Sequence, residues 1–470
     1  MSDDATLDEF INDEADPDAS EEELMTSLDE TSVGNIPSDW SGIRLGELTE
    51  DTLYGANESA EDYDPNKPRY IRIKDIDERG RLKESEKASL SADKAEGYLL
   101  ERGDMLFARS GSPGRTYLHR HESGEYCYGG YSIKHKLIPN NLNHEYLSQY
   151  TKSQKYWDWI ERIARTGAQA NINSREYASL LVPLPPLPEQ RKIATVLYTV
   201  DRAIEKTSEL IEQLGRVKQG IRQNILTSGI TEENKLRASP ESEPEQYTDA
   251  RQWTVPNSWE LKELSDICSI QVGYAFKSDW YQEEGNVRVL RGANVGYGEP
   301  DWSETYFLEP ERVSEYEDYL LNEGNLIIGM DRPYTNSGFK ISRLSETDVP
   351  SLLVQRVGRF VPERCDPDYL HVVLSDWRYQ KQVLRRAQGM DIPHISQTDI
   401  LSPKIPLPPL DEQKRIANRY SSILERIDCE ENLLREYKTL KQGLMQDLLS
   451  GTVRTTDTNI EVPDEIAQHG

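Results

Sequence analysis

The run Pro183-Leu-Pro-Pro-Leu-Pro-Glu-Gln-Arg-Lys-Ile-Ala194 returns as Pro406-Leu-Pro-Pro-Leu-Asp-Glu-Gln-Lys-Arg-Ile-Ala417, 223 residues further on. The same shift carries Lys218-Gln219-Gly220 onto Lys441-Gln442-Gly443 and Tyr146-Leu147 onto Tyr369-Leu370. A similar phrase opens each half, Ile36-Pro-Ser-Asp-Trp40 and Val255-Pro-Asn-Ser-Trp259, at a shift of 219. Solenoid repeats have periods of roughly 20 to 50 residues, so a unit this long is a duplicated domain with its connector.

Outward from the repeated phrase, each half runs into a long helix. Apolar residues step by fours and threes through Ile193, Leu197, Val200, Ile204, Ile211, Leu214, Ile221 and Ile225, the spacing of a coiled-coil seam. The second copy keeps the register with Ile416, Tyr420, Ile423, Ile427, Leu434, Tyr437, Leu444 and Leu448. Polar residues interrupt at Thr207 and Lys218, and at Glu430 and Lys441. Pro188 and Asp411 suit a first helical turn, and Gly229 and Gly451 a helix end. A lone helix with such a stripe would leave it in water. The two copies are therefore expected to pack together as an antiparallel pair, with Lys218 and Lys441 setting the register.

Ahead of each helix lies a mixed segment, in which short β-rich runs such as Tyr70–Ile73 and Val287–Leu290 alternate with Gly, Asn and Pro turns. The expected fold class is α+β: two similar α/β domains joined by two long helices in an antiparallel coiled coil, with pseudo-two-fold symmetry. The expected boundaries are an acidic disordered tail at 1–35, a first domain at 36–186, a spacer helix at 187–229 and a linker at 230–254. The second domain follows at 255–409, its helix at 410–451 and a C-terminal tail at 452–470.

The formal charge of -28 argues against binding a polyanion unless its distribution is considered. Residues 1–35 hold 13 carboxylates and no Lys or Arg, while 230–250 and 452–470 carry net charges of -4 and -3. The remaining body is at -8, so most of the excess falls in segments expected to stay unfolded. With 34 Arg against 21 Lys, the acidic composition suits a high-salt cytoplasm, and a halophilic source is expected. No apolar run reaches the ~18 residues of a membrane span, and Met1–Asn35 has neither the basic nor the apolar region of a leader, which points to a cytoplasmic address.

Several chemistries lack their motifs. There is no GxxxxGK[ST] loop, no NPP[FY]-type adenine methyltransferase motif and no Gly-rich fingerprint, Ser110-Gly-Ser-Pro-Gly114 being broken by proline. Cys127, Cys268, Cys365 and Cys429 are scattered, and His119 with His121 lacks zinc-ligand spacing, so no metal, cofactor or catalytic residue is expected in this chain. Two similar domains on a rod suit two separated marks on a long ligand such as duplex DNA. Candidate contacts are Arg72, Lys74, Arg109, Arg115, Lys134 and Lys136 in the first domain, and Arg288, Arg291, Arg332, Lys340, Arg356 and Arg359 in the second. The matched segments Arg165–Ile172 and Arg386–His394 are read as turns packing each domain on its helix, or as further DNA contacts. The competing reading is a scaffold whose coiled coil joins two protein-binding domains without nucleic acid.

Leu184-Pro-Pro-Leu-Pro-Glu-Gln190 and Leu407-Pro-Pro-Leu-Asp-Glu-Gln413, with Lys441-Gln-Gly-Leu-Met-Gln-Asp-Leu-Leu-Ser-Gly451, resemble the signature of type I restriction-modification specificity subunits over Ile36 to Gly451. The resemblance implies two target-recognition domains, each reading half of a bipartite double-stranded DNA site, with the helices as ruler. It also implies docking of two modification subunits that use S-adenosylmethionine to methylate adenine, and of restriction subunits using ATP and Mg. Arg222 stands where the second copy has Met445, and the acidic segment before Ile36 lies outside the pattern.

Overall fold

A computed structural model describes residues 28–31, 34–139, 141–164, 171–250, 252–335, 338–386 and 394–468. The chain forms two compact units, Met1–Ser208 with Leu433–Gly470, and Glu209–Asn432. Each unit contains one mixed domain and one half of each long helix, Leu187–Thr227 and Leu410–Ser450.

The duplication read from the sequence is a duplication of topology. In the first unit an antiparallel sheet has the order Thr49–Tyr54, Ser132–Leu137, Met105–Ala108, Thr116–Leu118. The second unit repeats it with Cys268–Val272, Val357–Pro362, Leu326–Gly329 and Ile341–Arg343. A second small sheet flanks each, built around the parallel pairs Arg69–Ile71 with Tyr126–Tyr128 and Arg288–Leu290 with Ser351–Leu353. Ser41–Arg44 pairs with Leu181–Leu184, and Glu260–Glu263 with Lys404–Leu407, so the residues entering and leaving each domain are tied together where its helix begins.

The seam positions divide between the units as an antiparallel pairing requires. In the first unit Ile193 and Leu197 share a core with Leu448 and Leu449, and in the second Ile225 shares one with Ile416 and Tyr420. Val200, Ile204 and Ile427 are also buried; Ile211, Leu214, Ile221, Ile423, Leu434, Tyr437 and Leu444 are half-buried. The helices stop as their glycines foretold, with Gly229 at φ +73 and Gly451 at φ +75.

Parts of the segments expected to stay unfolded are folded. Residues 1–27 of the acidic tail lie outside the described residues, but Leu28–Thr31 pairs with Gly34–Pro37. Residues 452–468 of the C-terminal tail pack on their unit: Ile466 is buried in the core, and Asn143 Nδ2 donates to its carbonyl at 2.8 Å. Lys192 Nζ donates to the carbonyls of Thr455, Thr456 and Thr458 at 3.0, 2.9 and 2.6 Å. In 230–254, Ile230 is buried and Tyr247–Ala250 pairs with Trp253–Pro256. Net charge averages over a segment, whereas a few well-placed anchors decide whether it folds.

Candidate nucleic-acid interface

The repeated phrase acts as a lock between domain and helix. Glu189, in the first helical turn, accepts from Trp40 Nε1 at 3.0 Å and from Arg454 Nε at 2.8 Å. Its counterpart Glu412 accepts from Trp259 Nε1 at 3.1 Å, Arg237 Nη2 at 2.9 Å and the Ile230 amide at 2.9 Å. The following glutamine reaches back: the Gln190 carbonyl accepts from Asn143 N and that of Gln413 from Asp366 N, each at 2.8 Å, at the N-caps of His144–Tyr150 and Pro367–Leu374. Tyr146 and Tyr369 donate to the carbonyls of Pro183 and Pro406 at 2.6 and 2.8 Å. Buried carboxylates with matched donors fix geometry more than they add stability, because desolvation offsets much of the attraction. The recurring Trp, Glu-Gln, Tyr and Pro thus hold each domain at a set angle on its helix.

Register along the helices is specified differently in the two units. Lys441 Nζ meets Asp201 Oδ1 at 2.6 Å, Gln149 Nε2 donates to Asp201 Oδ2 at 3.0 Å, and Lys152 Nζ stands 3.7 Å from the same oxygen. Burial would raise the Asp201 pKa, but Lys152, Lys441 and Gln149 outweigh it and hold the carboxyl below its usual range. Burial brings Lys152 down to about 8. In the second unit the 223-residue shift puts Leu424, Ser375 and Val372 at the positions of Asp201, Lys152 and Gln149. Lys218 therefore lacks the carboxylate that Lys441 has. Its charge is depressed by burial and Arg222 and supported by Glu431 and Asp428.

Each domain presents a corner where three loops meet. In the first unit the Arg109 amide donates to Tyr131 O and the Ile172 amide to Arg109 O, both at 2.8 Å. In the second, Met330 N donates to Arg356 O and Ile395 N to Met330 O, both at 2.9 Å. The backbone frame is the same and its side chains differ. In the first corner the Arg109 guanidinium lies 5.0 Å over the Tyr54 ring and its Nε donates to Asn171 Oδ1 at 3.3 Å. The Tyr54 hydroxyl accepts from Ser174 N at 3.1 Å. Burial would raise its pKa, yet Ser174 and Arg109 bring it below the ordinary phenol value. Tyr131 stands 70% exposed. Cationic and aromatic side chains side by side are suited to phosphates and base faces.

The second corner is built on charge. Asp331 Oδ2 accepts from Arg356 Nη1 at 2.7 Å and its Oδ1 meets His394 Nδ1 at 2.6 Å. Burial would raise the Asp331 pKa, but His394 and Arg356 outweigh it and hold the group ionised. Arg332 and Arg356 have φ of +45 and +65, the left-handed region that costs a non-glycine residue roughly 1–2 kcal/mol. The first corner has Gly111, at φ +78, where the second has Arg332. An exposed ion pair is worth about 0–1 kcal/mol, so the Arg356–Asp331 contact does not offset the backbone strain. Strain of this kind gathers at functional sites.

Most of the cations chosen from the sequence are engaged elsewhere. Arg72 clasps Asp75 at 2.8 Å, Lys74 meets Glu86 at 3.1 Å, and Arg115 donates to Ile76 O at 2.9 Å. Lys134 lies 3.5 Å from Asp104, and Lys136 is 3.6 and 3.7 Å from Glu50 and Glu101. Arg288 donates to Thr347 O at 2.5 Å, and Arg291 to Glu304 O at 3.1 Å while stacking on Tyr306. Lys340 donates to Gly292 O at 3.1 Å, and Arg359 to Leu320 O at 3.0 Å. The corners gather Arg109, Arg332 and Arg356 and add Tyr54, Tyr131, Asn171, Asp331 and His394, which sequence reasoning did not single out. One signal was present: the 223-residue shift places Asn171 on His394, inside the two segments already matched. Residues 165–170 and 387–393 of those segments lie outside the described residues.

Comparison with known proteins places this architecture. The profile of the type I restriction modification DNA specificity domain matches residues 37–216 and 256–438. The specificity subunit of the type I restriction enzyme MjaVIII of Methanocaldococcus jannaschii is 31% identical over 291 residues, 62% of this chain and 66% of the relative. The EcoAI specificity subunit of Escherichia coli is 27% identical over 252 residues, 53% of this chain and 41% of that protein. The chain thus spans just under two thirds of the first relative and less than half of the second. The putative MjaX specificity subunit of M. jannaschii is 26% identical over 448 residues, 90% of this chain and 96% of its own. The crystal structure of the type I restriction-modification S subunit from M. genitalium shares the fold, with a TM-score of 0.57 at 18% identity over 87% of this chain and 96% of that one.

Proposed function

Because the chain belongs to the family of type I restriction-modification DNA specificity domains, we propose that it is the non-catalytic subunit that selects the DNA sequence on which such a complex acts. Each domain reads one half of a bipartite double-stranded site through its three-loop corner. The long helices, 41 residues each and on the order of 60 Å at ~1.5 Å per residue, set the unread gap and dock two modification subunits. Adenine methylation with S-adenosylmethionine and ATP- and Mg-dependent cleavage belong to the modification and restriction subunits, not to this chain. Its place of work is the cytoplasm, and its acidic, Arg-rich composition suits high salt. Among the described residues, no helix is long and apolar enough to cross a membrane.

The observation that carries this reading is the repeated corner, with one backbone frame and two sets of side chains: the same scaffold fitted for two different half-sites. The test is equilibrium binding of duplex pools by the chain assembled with its modification subunits, across salt concentration. Selective enrichment of a two-part sequence, with log K falling linearly in log salt, is expected. Binding without sequence preference would favour a scaffold.

A further inference from the structure

The geometry points to Arg356 and Asp331 as a single reader of a guanine–cytosine pair in the half-site of the second domain, an inference that rests on the DNA-specificity reading above. Side chains distinguish G·C in the major groove by opposite chemistries. An arginine fork donates to guanine O6 and N7, and a carboxylate accepts from cytosine N4. The second corner holds both halves of that code in contact, with Arg356 Nη1 2.7 Å from Asp331 Oδ2.

Three features separate this pair from an ordinary surface ion pair. The Arg356 side chain is 68% exposed while that of Asp331 is only 27% exposed, so the carboxylate is seated and the guanidinium projects. His394 Nδ1 takes the other carboxylate oxygen at 2.6 Å, and the isolated bridge between Asp331 and His394 fixes the backbone beneath it. Arg356 and Arg332 both occupy left-handed backbone, which glycine would adopt without strain. A purely structural turn has no use for two strained arginines, whereas a reader needs the side chains that glycine lacks. The first corner presents Tyr131 and Asn171 in the places of Arg356 and His394, so the two halves of the site are expected to differ in sequence.

The test is selection from a randomised duplex pool by the full chain assembled with its modification subunits, comparing the natural protein with R356Q, R356K and D331N, each checked by its melting temperature. The natural protein is expected to enrich a two-part motif. R356Q is expected to relax preference about tenfold at one G·C position of one half-site and to leave every position of the other half within twofold. D331N is expected to relax the same position. R356K keeps the charge but not the fork, should lose most of the discrimination, and serves alone if R356Q does not fold. A motif unchanged in all three variants, or affinity lost evenly at every position by folded variants, would overturn the assignment. Should the natural protein enrich no motif at all, the DNA-specificity reading fails, and this inference with it.

Discussion

Replacing Asp201 with leucine makes the first unit copy the second, where Leu424 stands at that place, and the structure says why the copy fails alone. Asp201 is 7% exposed, accepts from Lys441 and Gln149, and stands 3.7 Å from Lys152 Nζ. With it gone, two lysines whose side chains are only 14% and 16% exposed repel each other with only the more distant pull of Glu145 on Lys152 to offset it. Breaking a buried pair by removing one partner costs about 3–5 kcal/mol, roughly a fifth or more of the stability of a typical domain. For a unit of this size, that lowers the melting temperature by roughly 6–20 °C. Adding Q149V and K152S to D201L installs the residues of the second unit, Val372, Ser375 and Leu424, and should recover more than half of the loss. Differential scanning calorimetry is the assay, because two units can unfold as separate transitions. A D201L variant within about 0.5 kcal/mol of the parent, or a triple variant no better than the single, would refute the idea that this carboxylate specifies the helix register.

Other outcomes follow from the same physics. E412A strands the Arg237 guanidinium and the Trp259 N–H, and should cost about 3 kcal/mol in the transition of the second unit while the first stays in place, read in the same calorimeter. His135, fully buried against Phe107, is held down to about 4 by burial, against about 6.5 in an unfolded chain. Between those values the unfolded state binds more protons, so stability is complete above pH 6.5 and falls as pH drops toward 4. About 2 kcal/mol should be lost from this group by pH 5, and H135F should flatten the pH dependence of the unfolding free energy, measured by urea titration, by that amount. R332G removes an unpaired left-handed side chain and should raise the melting temperature of the second unit slightly; a fall would show that Arg332 holds the loop rather than waiting for a ligand.

Different parts of the molecule were legible in the sequence to different degrees. The helices were readable because their pattern is local: Ile193 and Leu197 declare a face within one turn of each other. The lock was visible only as a repeated phrase, since nothing in Pro-Leu-Pro-Glu-Gln says that Glu189 will meet Trp40, 149 residues away. Residue type alone did not say which cations the fold would gather at the corners, for the same reason. Arg72 and Asp75 pair three residues apart, whereas Asp331 and His394 are 63 residues apart and meet across an isolated β-bridge. Charge counting misjudged the 452–470 tail because Arg454 on Glu189 and Ile466 in the core outweigh its four carboxylates.

The central claim, that this chain chooses a two-part DNA sequence for a modifying complex, is most directly tested by single-molecule methylation sequencing of the source cell with and without its gene. Deletion should erase methyladenine at one bipartite motif, and restoring the gene with R356Q should bring the motif back relaxed in one half. A methylation pattern identical in both strains would contradict the account.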